Sequence, residues 1–486
     1  MRISRLPAVL KPVLIAFMVI LLPASSRAAG LDTEWIDLTQ QRTGHIALTL
    51  FILAYLLVMS EEFTHMRKSK PVILAAGMIW GLVAWQYHTE GLTHAAEAAF
   101  RSTLLEFSEL FLFLLAAMTY VNAMDERQVF EALRSWLVRK GCSYRLLFWI
   151  TGIMAFFLSP IIDNLTTALV MCAVVLAVGK GDDRFIGLAC INIVVAANAG
   201  GAFSPFGDLT TLMVWQKGLV DFHTFFLLFI PSVINFLVPA TLMSFFVPQF
   251  TPAVDGEVVQ LRRGALVILF LFICTILTAV SFHNFLHLPP MLGMMTGLGY
   301  LQIFGYYLKM THPPPVKKSY QQGFQHGVVG DVVPLASEDR PFDIFSRLAR
   351  AEWDTLLFFY GVVLCVGGLG FIGYLTAVSH VMYVDLGATT ANILVGILSA
   401  IVDNIPVMFA VLSMNPEMPL GQWLLVTLTA GVGGSMLSIG SAAGVALMGQ
   451  ARGKYTFFIH LKWTPAIALG YVASILSHLW INADTF

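Results

Sequence analysis

Apolar stretches of membrane-spanning length alternate with short polar segments along almost the whole chain. Because about 20 apolar residues cross a bilayer as a helix, this pattern predicts an all-α polytopic membrane protein. Complete spans are predicted near 44–60, 71–88, 103–122, 186–218, 225–248, 264–281, 290–307, 355–378, 421–450 and 457–480.

Two of these stretches, 186–218 and 421–450, are too long and too rich in Gly, Asn and Ser to be plain helices. We predict that each is a helix interrupted within the membrane. Non-helical backbone at membrane depth occurs only where it is buried in protein or lines a cavity, so both interruptions are candidates for a binding site.

A further apolar stretch precedes each interrupted helix, and each contains the dipeptide Asp-Asn. An ionisable side chain among lipid-soluble residues costs about 3 kcal/mol or more, so it normally faces a bundle interior or a cavity. We interpret both stretches as re-entrant hairpins that enter and leave the membrane by the same face. They are predicted at 146–179, with Asp163 and Asn164 at the tip, and at 388–413, with Asp403 and Asn404 at the tip.

The distribution of Lys and Arg supports this layout independently, because these residues accumulate in short cytoplasmic loops. With both hairpins re-entrant, the segments on one side hold 20 Lys and Arg and those on the other side hold 3. A full crossing by either hairpin would invert every later loop and remove the asymmetry.

The polar features recur in the same order in both halves of the chain. Asp163 and Asp403 are 240 positions apart, and the pairs that begin at Gly200 and Gly433 are 233 apart. Five crossings and one hairpin make each half, an odd number of crossings, so the second half starts from the opposite side. We predict two inverted repeats, at 44–248 and 264–480, an arrangement with which many secondary transporters build a midplane site.

Two segments lie outside these repeat elements. Residues 1–30 have basic residues before an apolar run and small residues after it, the pattern of a signal peptide or an uncleaved first helix. Residues 309–353, which contain Pro, Gly and mixed charge, are predicted to be a cytoplasmic linker inserted in the second repeat.

Composition excludes several classes of function. Hydrophobic residues make up 57% of the chain, charged residues only 12%, and the net charge is −1, which favours neither a nucleic-acid partner nor surface binding to a membrane. The five cysteines are scattered singly and indicate no disulfide framework, zinc site or iron–sulfur site.

Candidate ligands lie at the two hairpin tips and in the two interruptions. Carboxylate, amide, hydroxyl and backbone carbonyl oxygens are hard ligands suited to a small hard cation. The cation-binding candidates are Asp163, Asn164, Thr166, Asn198, Asp208, Thr210, Thr211, Asp403, Asn404, Ser438 and Ser441.

Asp208 has no carboxylate counterpart in the second half, where Ser441 takes its place. We expect an asymmetric cluster of three aspartates, with Asp208 as the main cation ligand or proton carrier; the alternative role for Asp208 is N-capping of a helix at Thr210 or Thr211. Burial and mutual repulsion favour the protonated form of one carboxylate, so Na⁺ and H⁺ can compete for the same group. Competition at one site, with a conformational change allowed only when that site is occupied, produces exchange.

At these motifs the chain resembles the ion transporter superfamily, and most closely the NhaD-type sodium/proton antiporters. The resemblance covers residues 44–480 and rests on the tip SPIIDNLTTAL, the interruption NAGGAFSPFGDLTTLMVW, the tip SAIVDN and the Gly/Ser-rich second interruption. It implies export of Na⁺, and often Li⁺, against proton uptake, with a scaffold domain and a moving transport domain that holds both hairpins.

From this resemblance we expect a carrier rather than an enzyme, without a cofactor, in the inner (cytoplasmic) membrane, serving pH homeostasis and salt tolerance. The expected ligands are Na⁺, Li⁺ and H⁺. A homodimer is compatible with the resemblance. Two other functions stay open: sodium-coupled dicarboxylate transport, which paired carboxylates disfavour because they repel an anionic substrate, and intramembrane aspartyl hydrolysis, for which the Gly-Gly interruptions have no evident use.

Overall fold

The computed structural model describes residues 35–64, 66–179, 182–251, 258–311, 348–349 and 351–486. Within those ranges the regular structure is helical throughout, without a β-strand, which confirms the all-α prediction. The predicted signal peptide or first helix at 1–30 and most of the predicted linker at 309–353 lie outside the described residues.

The helices of the first half follow the predicted apolar stretches closely. A 3-10 helix at Phe222–Leu228 leads directly into the last of them. The α-helices of the first half are α1 (Arg42–Met59), α2 (Ser69–Thr89), α3 (Thr93–Glu126), α4 (Val129–Arg139), α5 (Tyr144–Ile162), α6 (Asn164–Val178), α7 (Asp183–Gly201), α8 (Leu209–Gln216) and α9 (Phe229–Ser244).

The second half likewise consists of long and short helices. Short helical segments at Tyr374–Ser379, His380–Asp385 and Phe457–Leu461 lie between them. The labelled helices of the second half are α10 (Ala265–Leu286), α11 (Pro290–Met310), α12 (Trp353–Phe371), α13 (Ala388–Ser399), α14 (Asn404–Met414), α15 (Leu420–Gly433), α16 (Ala442–Gln450) and α17 (Thr464–Ile481).

Among the described residues, 8 helical segments are long and apolar enough to cross a membrane. Helices α2 and α11 have 21 residues each but are not among these eight, although the sequence pattern predicts spans at both places. Helix α3 begins about ten residues before its predicted start and spans 34 residues. Helix α12 ends before its predicted end at 378, because Gly373 has a φ of +105°, a backbone conformation that stops a right-handed helix.

The helices are interrupted at the four places to which the polar motifs point. Asp163 separates α5 from α6 with a φ of +108°, and Pro160 lies within the last turn of α5. Residues 202–208 separate α7 from α8, 400–403 separate α13 from α14, and 434–441 separate α15 from α16.

Helices α7 and α15 form the interior of the fold. In α7, 94% of the membrane-length window is buried, compared with 28% in α10, and every residue from Gly421 to Gly433 of α15 is buried. A helix that is apolar and buried on all sides lies in the core of a bundle. These two helices contact each other, and both end at an interruption, which places non-helical backbone in the protein interior.

The chain divides into two compact units. One comprises the described residues of 1–108, 136–256 and 353–486 and contains every interruption. The other comprises those of 109–135 and 257–352, where the hydroxyl of Tyr120 donates to the carbonyl of Gly297 at 2.6 Å and accepts from Thr275 at 2.9 Å.

Candidate cation-binding site

Asp208 is the central carboxylate of the interior. It is the N-cap residue of α8 in an extended backbone conformation, and its Oδ1 accepts a hydrogen bond from the backbone N–H of Thr210 at 3.2 Å. Its side chain is only 8% exposed. The N-terminus of a helix stabilises an adjacent negative charge, so the half-helix α8 offsets part of the cost of burying a carboxylate here.

Both hairpin tips converge on this carboxylate through their asparagines. Asn164 Nδ2 donates to Asp208 Oδ2 at 3.0 Å, and Asn404 Nδ2 donates to the same oxygen at 2.9 Å and to Oδ1 at 3.3 Å. Two sequence positions that are 240 apart therefore meet at one side chain.

Further polar side chains extend this network between the two interruptions. Asn198, in the last turn of α7, donates through Nδ2 to Ser441 Oγ at 3.1 Å and accepts through Oδ1 from Asn164 Nδ2 at 3.3 Å. Ser159 Oγ hydrogen-bonds Asn164 Oδ1 and donates to the carbonyl of Ala197 at 2.7 Å. The network thus orients the amide of Asn164 toward Asp208.

The predicted hydroxyl ligands fall into two groups. Thr166 Oγ1 donates to Asp163 Oδ2 at 2.9 Å, and Thr211 Oγ1 donates to the carbonyl of Asp208 at 2.6 Å, so both hydroxyls stabilise local structure. Thr210 Oγ1 and Ser438 Oγ, by contrast, are fully buried and have no hydrogen-bond partner among the described residues. Because buried polar atoms are normally satisfied, these two oxygens are available to a ligand.

The carboxylates of the two tips lie apart from this network. Asp163 caps its own helix α6, accepting from the backbone N–H of Thr166 at 2.7 Å. Asp403 Oδ2 forms an ion pair with Lys68 Nζ at 3.3 Å, and its charge acts electrostatically on Asp208. In the part of the chain that the structure describes, no three His, Cys, Asp or Glu side chains are placed to hold one metal ion together, so the three aspartates do not form a single ligand cluster.

Two residues near the candidate ligands were not predicted from the sequence. Gly431 of α15 faces the central carboxylate, since a Cβ added there would lie 3.7 Å from both Asp208 Oδ2 and Thr210 Oγ1. A glycine among other glycines carries no sequence signal for this position. Lys68 was likewise not identified, because the positive charge of its segment is attributed to a predicted cytoplasmic location.

Known proteins share this chain's sequence over most of its length. A family described as CitMHS, citrate transporter, matches residues 49–431. The chain is 61% identical to the Na⁺/H⁺ antiporter NhaD of Alkalimonas amylolytica over 93% of either chain, and 59% identical to that of Halomonas elongata over 97% of this chain and 95% of the relative. It is 30% identical to sodium/proton antiporter 1 of Arabidopsis thaliana over 96% of this chain and 77% of the relative.

These similarities decide between the functions that the sequence pattern leaves open. The matched family description names a citrate transporter, whereas relatives at about 60% identity carry the name of an antiporter. The site agrees with the second, since a buried carboxylate at its centre would repel an anionic substrate. The chain therefore belongs to the NhaD family of Na⁺/H⁺ antiporters: it is a multi-pass membrane transporter that exchanges Na⁺ for H⁺, and not an enzyme.

Proposed function

We propose that Na⁺ and H⁺ exclude each other at Asp208. The observation that carries this proposal is the convergence of Asn164 and Asn404 on its two carboxylate oxygens. A cation or a proton neutralises the same single charge, so the binding of one releases the other. The two hairpin tips touch this charge directly, and its occupation therefore alters the contacts of both.

The asparagine amides supply a means for the tips to respond. Each amide carries two N–H donors and one oxygen acceptor, and a rotation about its last bond exchanges them. The N–H groups of Asn164 and Asn404 stabilise an ionised Asp208, whereas their oxygens suit a cation. When Na⁺ binds to Asp208, with Thr210 Oγ1 as a hydroxyl ligand, both amides therefore rotate to present their oxygens. Proton binding reverses the rotation.

We further propose that 44–248 and 264–480 are inverted repeats arranged around this site. Equivalent contacts at constant sequence offsets support the arrangement. Ser159 donates to the carbonyl of Ala197 at 2.7 Å, and Ser399, 240 positions later, donates to the carbonyl of Ala430 at 2.8 Å. The re-entrant topology of both hairpins, 146–179 and 388–413, belongs to the same proposal.

The equivalent positions also explain how a symmetric frame produces an asymmetric site. With an offset of 233, Asn198 corresponds to Gly431 and Asp208 corresponds to Ser441. Asn198 hydrogen-bonds Ser441, while its counterpart Gly431 leaves space beside Asp208. One pairing is filled by an amide and a hydroxyl, and the other provides a carboxylate with room for a ligand.

We infer that the outer approach to the site is a cavity of about 440 Å³. Phe409 and Leu412 of α14 line one part of it, and Glu106 and Lys217 line another and form an ion pair at 2.6 Å. Lys217 directly follows α8, the half-helix that Asp208 caps, so the cavity adjoins the elements that hold the carboxylate.

We also propose that Li⁺ is transported, because it is a hard cation like Na⁺ and suits the same oxygen ligands. From the family we propose that the protein lies in the inner (cytoplasmic) membrane. A homodimer stays a prediction.

The test of the central proposal is the substitution Asp208→Asn in inverted membrane vesicles. Asp and Asn are comparable N-cap residues, so α8 is retained while the charge is removed. We expect loss of Na⁺-induced dissipation of a pH gradient, with unchanged amounts of protein in the membrane. The matched control is Asp182→Asn, because Asp182 caps α7 by accepting from the backbone N–H of Phe185 at 2.9 Å outside the network. Full exchange in Asp208→Asn would refute the assignment.

A further inference from the structure

The second hairpin tip is held by a cation that belongs to the protein. Lys68, the N-cap residue of α2, places its Nζ 3.3 Å from Oδ2 of Asp403, 335 positions away in the sequence. The two side chains are only 19% and 15% exposed. The pair is thus shielded from most of the solvent but stays partly exposed.

Groups from two other helices, α1 and α12, surround this pair. Nζ of Lys68 lies 4.6 Å from the ring centroid of Phe358 in α12, a distance at which a ring face attracts a cation. The buried hydroxyl of Tyr55 in α1 has no hydrogen-bond partner among the residues described, and the charge of Asp403 acts on it. Asp354, one turn before Phe358, accepts a hydrogen bond from Ser69 Oγ. The surroundings thus fix the ammonium beside one oxygen of Asp403.

The other oxygen of Asp403 has no hydrogen-bond partner in the described chain, although it is buried. A carboxylate with one oxygen on an ammonium and the other unsatisfied can accept a second cation only against the repulsion of the first. Two positive charges at such a short distance repel each other strongly where little solvent screens them. An incoming Na⁺ and the ammonium of Lys68 therefore compete for Asp403.

We propose that Lys68 is a built-in competitor of the transported cation, which occupies the cation side of Asp403 until Na⁺ displaces it. The inference rests on the proposed exchange at Asp208, on which the charge of Asp403 acts, and extends the cation site to Asp403. Its physical benefit is that the empty tip carries no bare carboxylate, which would be costly within a membrane. Lys68 therefore determines how tightly the antiporter holds Na⁺.

The test compares KM for Na⁺ at one fixed pH in inverted vesicles. In Lys68→Gln the competing charge is gone, and we expect the KM to fall about two- to fivefold, the range that a partly exposed ion pair contributes. Lys68→Arg retains the charge and should keep the KM of the unsubstituted protein. Lys454→Gln is the matched control, since Lys454 is a cytoplasmic-loop lysine paired at 3.7 Å with Asp183, away from the site.

A second measurement separates binding from transport. In detergent-purified protein, the Na⁺-induced rise in melting temperature should reach half its maximum at a lower Na⁺ concentration in Lys68→Gln than in the unsubstituted chain. Lys68→Met is a second neutral variant and should show the same change, so a folding defect of Lys68→Gln alone would be recognised. An unchanged or higher KM, or lost exchange with the protein present in the membrane, overturns the proposal.

The variant Asp403→Asn distinguishes failure of this inference from failure of the site. If Asp403→Asn weakens Na⁺ binding while Lys68→Gln leaves it unchanged, Asp403 is a ligand and Lys68 only a structural partner. If Asp403→Asn has no effect, the proposed site itself is wrong at this position, and the inference falls with it.

Discussion

Asp208 has the capping role that the sequence offered as one alternative, and its further contacts support the other, proposed role in binding the cation or proton. It caps α8 through the backbone N–H of Thr210, and it accepts hydrogen bonds from both hairpin tips. Capping fixes the position of the carboxylate with one oxygen, while the other oxygen faces Asn164, Asn404 and the space beside Gly431. A structural hydrogen bond therefore orients the group that we propose to carry the exchanged charge.

The space beside Gly431 gives a prediction at the scale of one methyl group. In Gly431→Ala the added Cβ would lie 3.6–3.7 Å from its nearest neighbours, an ordinary contact, so the fold accepts it. The methyl group nevertheless occupies space next to Asp208 Oδ2 and Thr210 Oγ1. We expect the KM for Na⁺ to rise about fivefold or more, which corresponds to an overpacking cost of ~1 kcal/mol, and the KM for the smaller Li⁺ to rise less.

The control for Gly431→Ala is Gly299→Ala, because no atom lies within 4 Å of the position of its added Cβ. Its KM values for Na⁺ and Li⁺ should match those of the unsubstituted protein in the same vesicles. Equal KM values in both variants would show that no ligand uses the space beside Gly431.

At the scale of elements, each hairpin depends on a glycine that lets two helices touch. A Cβ on Gly200 of α7 would lie 2.2 Å from the carbonyl oxygen of Phe156 in α5, and one on Gly433 of α15 would lie 2.1 Å from that of Gly396 in α13. Backbone cannot yield as a flexible side chain does. The close approach of each hairpin arm to its interrupted helix therefore requires glycine.

We predict that Gly200→Ala and Gly433→Ala each destabilise the protein by at least about 2 kcal/mol, the middle of the range for overpacking. The measurement is the melting temperature of detergent-purified protein, together with the amount inserted in the membrane. Gly449→Ala is the control, since no atom lies within 4 Å of its added Cβ and alanine favours a helix by up to about 1 kcal/mol. Comparable melting temperatures for all three would contradict the proposed packing role.

How much of this could be predicted from the sequence differs between elements and contacts. The interruptions were predictable because Gly-Gly pairs and Asp-Asn tips conflict with an uninterrupted membrane helix. The facing residue at each tip was not, since the contacts of Asn164 and Asn404 with Asp208 join residues 44 and 196 positions apart and depend on tertiary packing. Lys68 was hidden for a different reason: its contact with Asp403 spans 335 positions and depends on tertiary packing alone.

At the scale of the whole molecule, the proposed inverted repeats imply opposite entry of the two hairpins. The first hairpin, α5 and α6, then leaves its connecting residues on the cytoplasmic side, near Asp183. The second hairpin, α13 and α14, leaves its following loop, near Glu417, on the outer side. The 20 to 3 asymmetry of Lys and Arg depends on both being true.

Cysteine labelling tests this topology directly, with Asp183→Cys and Glu417→Cys made in a chain whose five native cysteines are replaced by serine. Both positions are exposed, so a membrane-impermeant maleimide can reach them. We expect Glu417→Cys to react when the reagent is added outside and Asp183→Cys to react only in inverted vesicles, because the charge asymmetry places these loops on opposite sides. Lys454→Cys, in the segment predicted to be the last cytoplasmic loop, is the orientation control. Labelling of Asp183→Cys from outside would mean that 146–179 crosses the membrane, and the two halves would then share one orientation rather than opposite ones.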